Sequence, residues 1–241
     1  MRRHPGRGEA RGEDPRRGQA GRTVTPGVQV PSTRSADLGR RIGVGLMYGL
    51  WNPRVLGSWK VPVGGPVIFA VNHSHNIDGP MLMGTAPRPV HFLIKKEAFI
   101  GPLGPFLERI GQLKVDRSIA DRSAITRALG VLEQGGALGI FPEGTRGEGD
   151  FASLRAGLAY FAVRSGAAIV PVAVLGSTER RSRLIRAVPP LRSRVDLVFG
   201  DPFQAGDGSG RRTRTALDEA TVRIQEHLTT HLENARRLTG R

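Results

Sequence analysis

Two rhythms of apolar and polar positions run along this chain. Short, almost wholly apolar runs occur at Val67–Val71 (VIFAV), Val90–Ile94 (VHFLI), Ala137–Phe141 (ALGIF), Ala168–Leu175 (AIVPVAVL) and Val195–Phe199 (VDLVF). They have strand length and little polar face, the pattern of strands buried on both sides. Between them, helical spacing appears near Gly79–Gly84, Leu103–Ile110, Arg122–Gln134, Arg155–Ser165 and Thr213–Arg237. Strand and helix in alternation predict an α/β fold: a single domain, 38–241, with a mixed, largely parallel central sheet flanked by helices. There is no internal repeat. The segment ERRSRLIRAVPPLRSR, residues 179–194, holds six arginines among prolines and reads as a surface excursion between two strands.

The N-terminal end breaks both rhythms. Residues 1–37 are rich in Gly, Pro and Arg and poor in apolar side chains, so they bury too little surface to offset their ordering entropy and read as a disordered basic tail. From Leu38 the sequence LGRRIGVGLMYGLW turns apolar behind Arg40 and Arg41. Two readings fit residues 38–51: a helix lying in a membrane interface, with Trp51 at the boundary, or an ordinary core helix. Its four glycines weaken it as a helix of either kind. No apolar stretch approaches the ~20 residues needed to cross a bilayer, and no signal-peptide core is present.

Charge narrows the partners. With 36 basic and 21 acidic residues among 241, the net charge is +15, of which the first 37 residues carry +4. A protein this basic is drawn to phosphates, whether on nucleic acid, an anionic membrane surface or a small molecule. Aromatic residues are only 5% and no nucleic-acid recognition motif occurs, so stacking platforms for nucleic acid are lacking. Zero cysteines exclude disulfide scaffolds, thiolate metal sites and cysteine nucleophiles.

Three polar clusters carry the candidate chemistry. Asn72-His73-Ser74-His75-Asn76-Ile77-Asp78 follows the first strong strand, where α/β proteins place ligands. A tight turn and a helix start would return the Asp78 carboxylate to the His73 ring, fixing its tautomer and leaving the other nitrogen as a base. Asp78 as a plain helix N-cap is the simpler alternative. His73-x-His75 with Asp78 also has the makings of a metal site, but further ligands are scarce in the sequence. Phe141-Pro142-Glu143-Gly144-Thr145-Arg146-Gly147 follows another strand; its glycines admit a ligand close to the backbone, and Arg146 suits a bidentate phosphate grip. No Gly-Lys-Ser/Thr occurs, so it is not a P-loop. The third cluster, Lys95-Lys96 onward to Asp116-Arg117, holds half of the chain's four lysines side by side at a strand's end.

Taken in order, these blocks resemble the glycerolipid acyltransferase superfamily, and within it the 1-acylglycerol-3-phosphate acyltransferases. Asn72-His73-x4-Asp78 is similar to that family's His-x4-Asp block, Lys95 through Arg117 to its second, Phe141–Gly147 to its third, and Val170-Pro171-Val172 to its fourth. The chain departs from the pattern at His75, at Ala98, and at Leu154-Arg155-Ala156-Gly157, where a lysine-rich approach to the glycine is usual.

The resemblance implies acyl transfer from acyl-CoA or acyl carrier protein to the free hydroxyl of a lysophospholipid, 1-acylglycerol-3-phosphate, giving phosphatidic acid in phospholipid biosynthesis. The alternative is the same chemistry on another lyso-lipid or a glycolipid. In this reading His73, oriented by Asp78, is the base. Arg117 and Arg146 grip the acceptor phosphate, Glu143, Gly144 and Thr145 shape its glycerol end, and Lys95 lies near the phosphate or the developing oxyanion. No metal or other cofactor is implied. The absence of cysteine and of a Gly-x-Ser-x-Gly elbow agrees with direct transfer without an acyl-enzyme. An acceptor held in a bilayer implies a peripheral enzyme on an anionic membrane surface, the cytoplasmic face of the cell membrane.

Overall fold

The computed structural model describes residues 29–144, 149–177, 189–206 and 213–241. Among these, seven strands are β1 (Asn52–Leu56), β2 (Val67–Val71), β3 (Val90–Lys95), β4 (Leu113–Val115), β5 (Ala137–Ile140), β6 (Ala168–Leu175) and β7 (Arg194–Phe199). They form one sheet in the order β1-β7-β6-β2-β5-β3-β4. Only β6 and β7 pair antiparallel; the other neighbours are parallel. Six α-helices accompany them: α1 (Thr33–Leu50), α2 (Asp78–Thr85), α3 (Leu103–Arg109), α4 (Arg122–Glu133), α5 (Gly157–Ser165) and α6 (Arg214–Thr239). This is the single-domain α/β fold with a mixed, largely parallel sheet that the apolar runs predict.

The sheet separates two apolar layers. On one face Ile68, Leu138 and Ile169 pack with Leu132 of α4, Phe161 of α5 and Leu228 of α6. On the other, Phe69, Val71 and Val172 pack with Met47 of α1 and Met81 and Leu82 of α2. All five residues of β2 are buried, which is why that strand reads as an unbroken apolar run. Pro171 is tolerated inside β6 because it lies beyond the last β6–β7 pair, Val172 with Phe199, and its carbonyl accepts the Gly200 N–H at 2.8 Å. The unpredicted strands are β1, which contains Pro53 and Arg54 at the sheet edge, and β4, which is three residues long; neither is long or apolar enough to stand out.

The first helix begins earlier than its apolar pattern. Thr33–Asp37, assigned from composition to the tail, are helical, because the Ser32 hydroxyl accepts the Ser35 N–H at 3.2 Å as an N-cap. Asp37 then pairs with Arg40 and Arg41 one turn on. Residues 1–28 of the predicted tail and 178–188 of the arginine-rich excursion lie outside the described residues. Gly43 of α1 has a packing reason: a Cβ on Gly84 of α2 would stand 2.5 Å from the Gly43 carbonyl oxygen, so the two backbones touch, whereas Gly45 and Gly49 face open space. Trp51 corrects an expectation. It is 7% exposed and its indole N–H donates to the Pro189 carbonyl at 3.2 Å; it is a core anchor and not a boundary residue. Among the described residues no helix is long and apolar enough to cross a membrane.

Candidate active site

The candidate blocks converge because the parallel strands end together. β2 pairs with β5 so that Ala70 faces Ile140, and the residues just beyond, Asn72-His73 and Phe141–Gly144, meet at the carboxyl edge of the sheet. Asn72 is pinned first. Its buried amide accepts the Val174 N–H at 2.7 Å and donates to the Val174 carbonyl at 3.1 Å, continuing the β2–β6 ladder with a side chain. The turn that follows therefore leaves the sheet at a fixed place.

That turn closes on Asp78. The Asp78 side chain is fully buried at the first turn of α2, and its Oδ2 accepts the backbone N–H groups of Ser74 at 2.9 Å and His75 at 2.7 Å. The same oxygen lies 3.3 Å from His73 Nδ1. Asp78 thus braces the turn and orients the imidazole at once; it is not the N-cap of α2, a position held by Ile77 without a side-chain cap bond, because the N–H groups it accepts precede the helix. Its Oδ1 is buried without a hydrogen-bond partner. The His73 ring stacks on Phe141, with centroids 4.1 Å apart and planes 27° off parallel. Phe141 in turn stacks on Phe92 at 5.9 Å. Phe92 fits only because Gly139 has no side chain: a Cβ there would stand 2.2 Å from the Phe92 ring. The imidazole is held on one edge by a carboxylate and on one face by an aromatic column, leaving Nε2 as the nitrogen for a proton transfer.

Behind it, Glu143 accepts the Phe151 N–H at 3.2 Å and a hydrogen bond from the His73 backbone. Burial pushes its carboxyl up, a shift opposed by those two N–H groups and the charge of His73 and reinforced by Asp150. Phe151 adopts φ 60, a left-handed conformation uncommon for a bulky residue. Its buried ring locks into the core, and its carbonyl accepts the Gln225 side-chain amide of α6 at 3.0 Å.

The second block arrives from β3 and β4. Arg117 is exposed, and its Nη1 donates to the Gly144 carbonyl at 2.8 Å. The loop carrying it is rigid: Asp116 is tied to Lys96 and accepts the Ser118 N–H and hydroxyl, which hold its carboxyl at about 2. Lys95 ends β3 with its side chain exposed, and no bond joins it to the His73–Asp78 pair among the described residues. Thr145 and Arg146 lie outside the described residues. Among the described residues, no group of three or more His, Cys, Asp or Glu is placed to hold a metal.

Arg155 reaches this site too, although the sequence marks it only as a departure from a lysine-rich pattern. Its backbone N–H donates to the Pro142 carbonyl at 2.8 Å, and its side chain lies across Gly144. Eleven positions along the chain separate Arg155 from Gly144, and no periodicity connects them. The roles of Phe141, Phe151 and Gln225 were equally unreadable, since each acts through tertiary contact.

Residues 52–175 match the acyltransferase family. A 1-acyl-sn-glycerol-3-phosphate acyltransferase of Bacillus subtilis (strain 168) is 27% identical over 183 residues, which cover 75% of this chain and 88% of that protein. Among solved structures, the 1-acyl-sn-glycerophosphate (LPA) acyltransferase PlsC from Thermotoga maritima shares the fold. The TM-score is 0.64 at 21% identity, over 86% of this chain and 79% of that one.

Proposed function

The chain belongs to the acyltransferase family, and we propose that it carries a fatty acyl group from a thioester donor, acyl-CoA or acyl carrier protein, to the free hydroxyl of 1-acylglycerol-3-phosphate. The observation that carries the mechanism is the His73–Asp78 contact of 3.3 Å at the carboxyl edge of the sheet. His73 Nε2 takes the hydroxyl proton as the acceptor oxygen attacks the thioester carbonyl carbon. The buried Asp78 carboxylate stabilises the imidazolium that forms. Collapse of the tetrahedral intermediate breaks the C–S bond, and the imidazolium returns the proton to the thiolate. The products are phosphatidic acid and the free thiol of the donor. Arg117 holds the acceptor phosphate beside Gly144, together with Arg146 of the Gly144 block; Glu143, Gly144 and Thr145 shape the glycerol end, and Lys95 serves near the phosphate or the developing oxyanion. The name of the Bacillus relative supports this acceptor.

The surface supports membrane docking. Leu46, Tyr48 and Leu50 at the end of α1 are exposed, as are Ile100, Leu103 and Phe106 after β3. Both groups lie toward the edge of the sheet where His73 sits, since β1 starts where β6 and β2 end. In this reading the protein rests peripherally on the anionic cytoplasmic leaflet with its site toward the lipid. Mass spectrometry of the products formed from acyl-CoA or acyl carrier protein with a panel of lyso-acceptors tests the proposal. Phosphatidic acid as the main product supports it; efficient acylation of another lyso-lipid or glycolipid, with lysophosphatidate left untouched, overturns it.

A further inference from the structure

Two guanidinium groups, not one, converge on Gly144. Arg117 reaches its carbonyl from the β4–α4 loop, and Arg155 covers its open side from the segment before α5. A Cβ built on Gly144 would stand 2.2 Å from Arg155 Nε and 2.4 Å from its Cδ. Gly144 also has φ 75, a conformation that favours glycine in its own right. The absent side chain is therefore the space that the Arg155 stem occupies. The Arg155 side chain is exposed, and among the described residues its guanidinium, with five N–H donors, has no hydrogen-bond or ion-pair partner. Arg117 spends one donor on Gly144 and keeps the rest. Two guanidinium groups on either side of one glycine, neither in an ion pair among the described residues, form a receptor for a dianion beside a proton-accepting histidine.

We propose that Arg155 is a substrate-binding and specificity-determining residue that clamps the acceptor phosphate jointly with Arg117. The assignment rests on the phosphorylated acceptor proposed above and adds to it a residue in the segment where the chain lacks the lysine-rich approach. Two arginines present planar forks that match phosphate oxygens in pairs, which lysine ammoniums do not.

The test is steady-state kinetics on the full chain with lysophosphatidate and acyl-CoA, each varied at saturation of the other. Arg155→Ala is expected to raise the KM for lysophosphatidate about ten- to hundredfold, the effect of losing charge-assisted hydrogen bonds, while kcat and the KM for acyl-CoA hold. Arg155→Lys restores only part of the affinity. Arg164→Ala, which removes an exposed charge from the end of α5, leaves all three parameters unchanged. Arg117→Ala combined with Arg155→Ala falls short of the product of the single effects, because both serve one phosphate. An unchanged acceptor KM in Arg155→Ala overturns the proposal. So does a rise in the donor KM alone, which would place Arg155 on the CoA phosphates, or an equal fall in every parameter with a lower Tm, which would make it a brace for the turn. Calorimetric binding of short-chain lysophosphatidate separates the two ideas. Arg155-dependent binding without turnover sinks the proposed reaction and keeps the clamp; turnover that ignores Arg155 does the reverse; neither binding nor turnover overturns both.

Discussion

Replacing Asp78 probes the site at its most buried charge. Oδ2 serves three partners, the N–H groups of Ser74 and His75 and the His73 ring. Asp78→Ala leaves both N–H groups unpaired, at about 1–3 kcal/mol each when buried. Because Ser74 and His75 are half-buried and water reaches them, about 2–4 kcal/mol is expected in total. For a domain of this size that lowers Tm by about 4–16 °C. Asp78→Asn is more telling. The amide oxygen can still accept both N–H groups, while its NH2 meets the pocket in which Oδ1 has no partner, a cost of about 1–3 kcal/mol. What it removes is the negative charge beside the imidazolium. Across 3.3 Å, at an effective dielectric of about 20, that attraction is about 5 kcal/mol. Catalysis by such a base is worth about 10²–10⁴, and kcat is expected to fall within that range while KM for either substrate changes little. The assay is kcat, KM and a melting curve on both variants. If Asp78→Asn keeps kcat within about threefold of the parent, Asp78 is only a brace for the turn and the charge argument is wrong.

Three more outcomes follow from the packing, the charge and the surface. Gly84→Ala drives a methyl to 2.5 Å from the Gly43 carbonyl, so helices α1 and α2 must separate; a loss of about 1–3 kcal/mol is expected in chemical denaturation, against none if the contact is loose. Burial pushes the rings of His91 and His231 below the ordinary value of 6.5, although each donates a ring N–H to a backbone carbonyl, of Gly111 and Val198 respectively. The unfolded chain then binds more protons than the folded one, so stability is complete above about pH 6.5 and declines as pH falls through the window beneath it; His91→Gln should flatten that decline, and an unaltered slope would count against the burial effect. Binding to anionic vesicles should weaken with salt, and Leu46→Glu with Tyr48→Glu should reduce it by at least about tenfold, the loss of two buried apolar side chains; equal flotation of variant and parent would remove α1 from the docking face.

How much of this was legible varies with the range of the forces involved. β2, β5 and β6 announced themselves because burial on both faces demands unbroken apolar runs. The helix α4 matched within a residue because Asp121 caps it, accepting the Ala124 N–H at 3.0 Å. His73 and Asp78 were readable because their contact spans one turn. The start of α1 was not, since a cap and two ion pairs, rather than apolar content, decide it. The fate of Trp51 depends on Pro189, far along the chain. Arg155 illustrates the remaining gap: its value comes from the emptiness above Gly144, and nothing in the order of residues says which side chain will fill that space.

The most direct measurement is acyl transfer to lysophosphatidate by purified His73→Ala beside the parent, with phosphatidic acid counted by mass spectrometry and a melting curve for each. The His73 side chain is part-exposed, and its structural contacts are the Asp78 edge and the Phe141 face, so the fold should survive its removal. A fall of about 10²–10⁴ in turnover at nearly parental Tm is the predicted result. Phosphatidic acid formed at a near-parental rate would contradict the assignment of His73 as the base on which the mechanism turns.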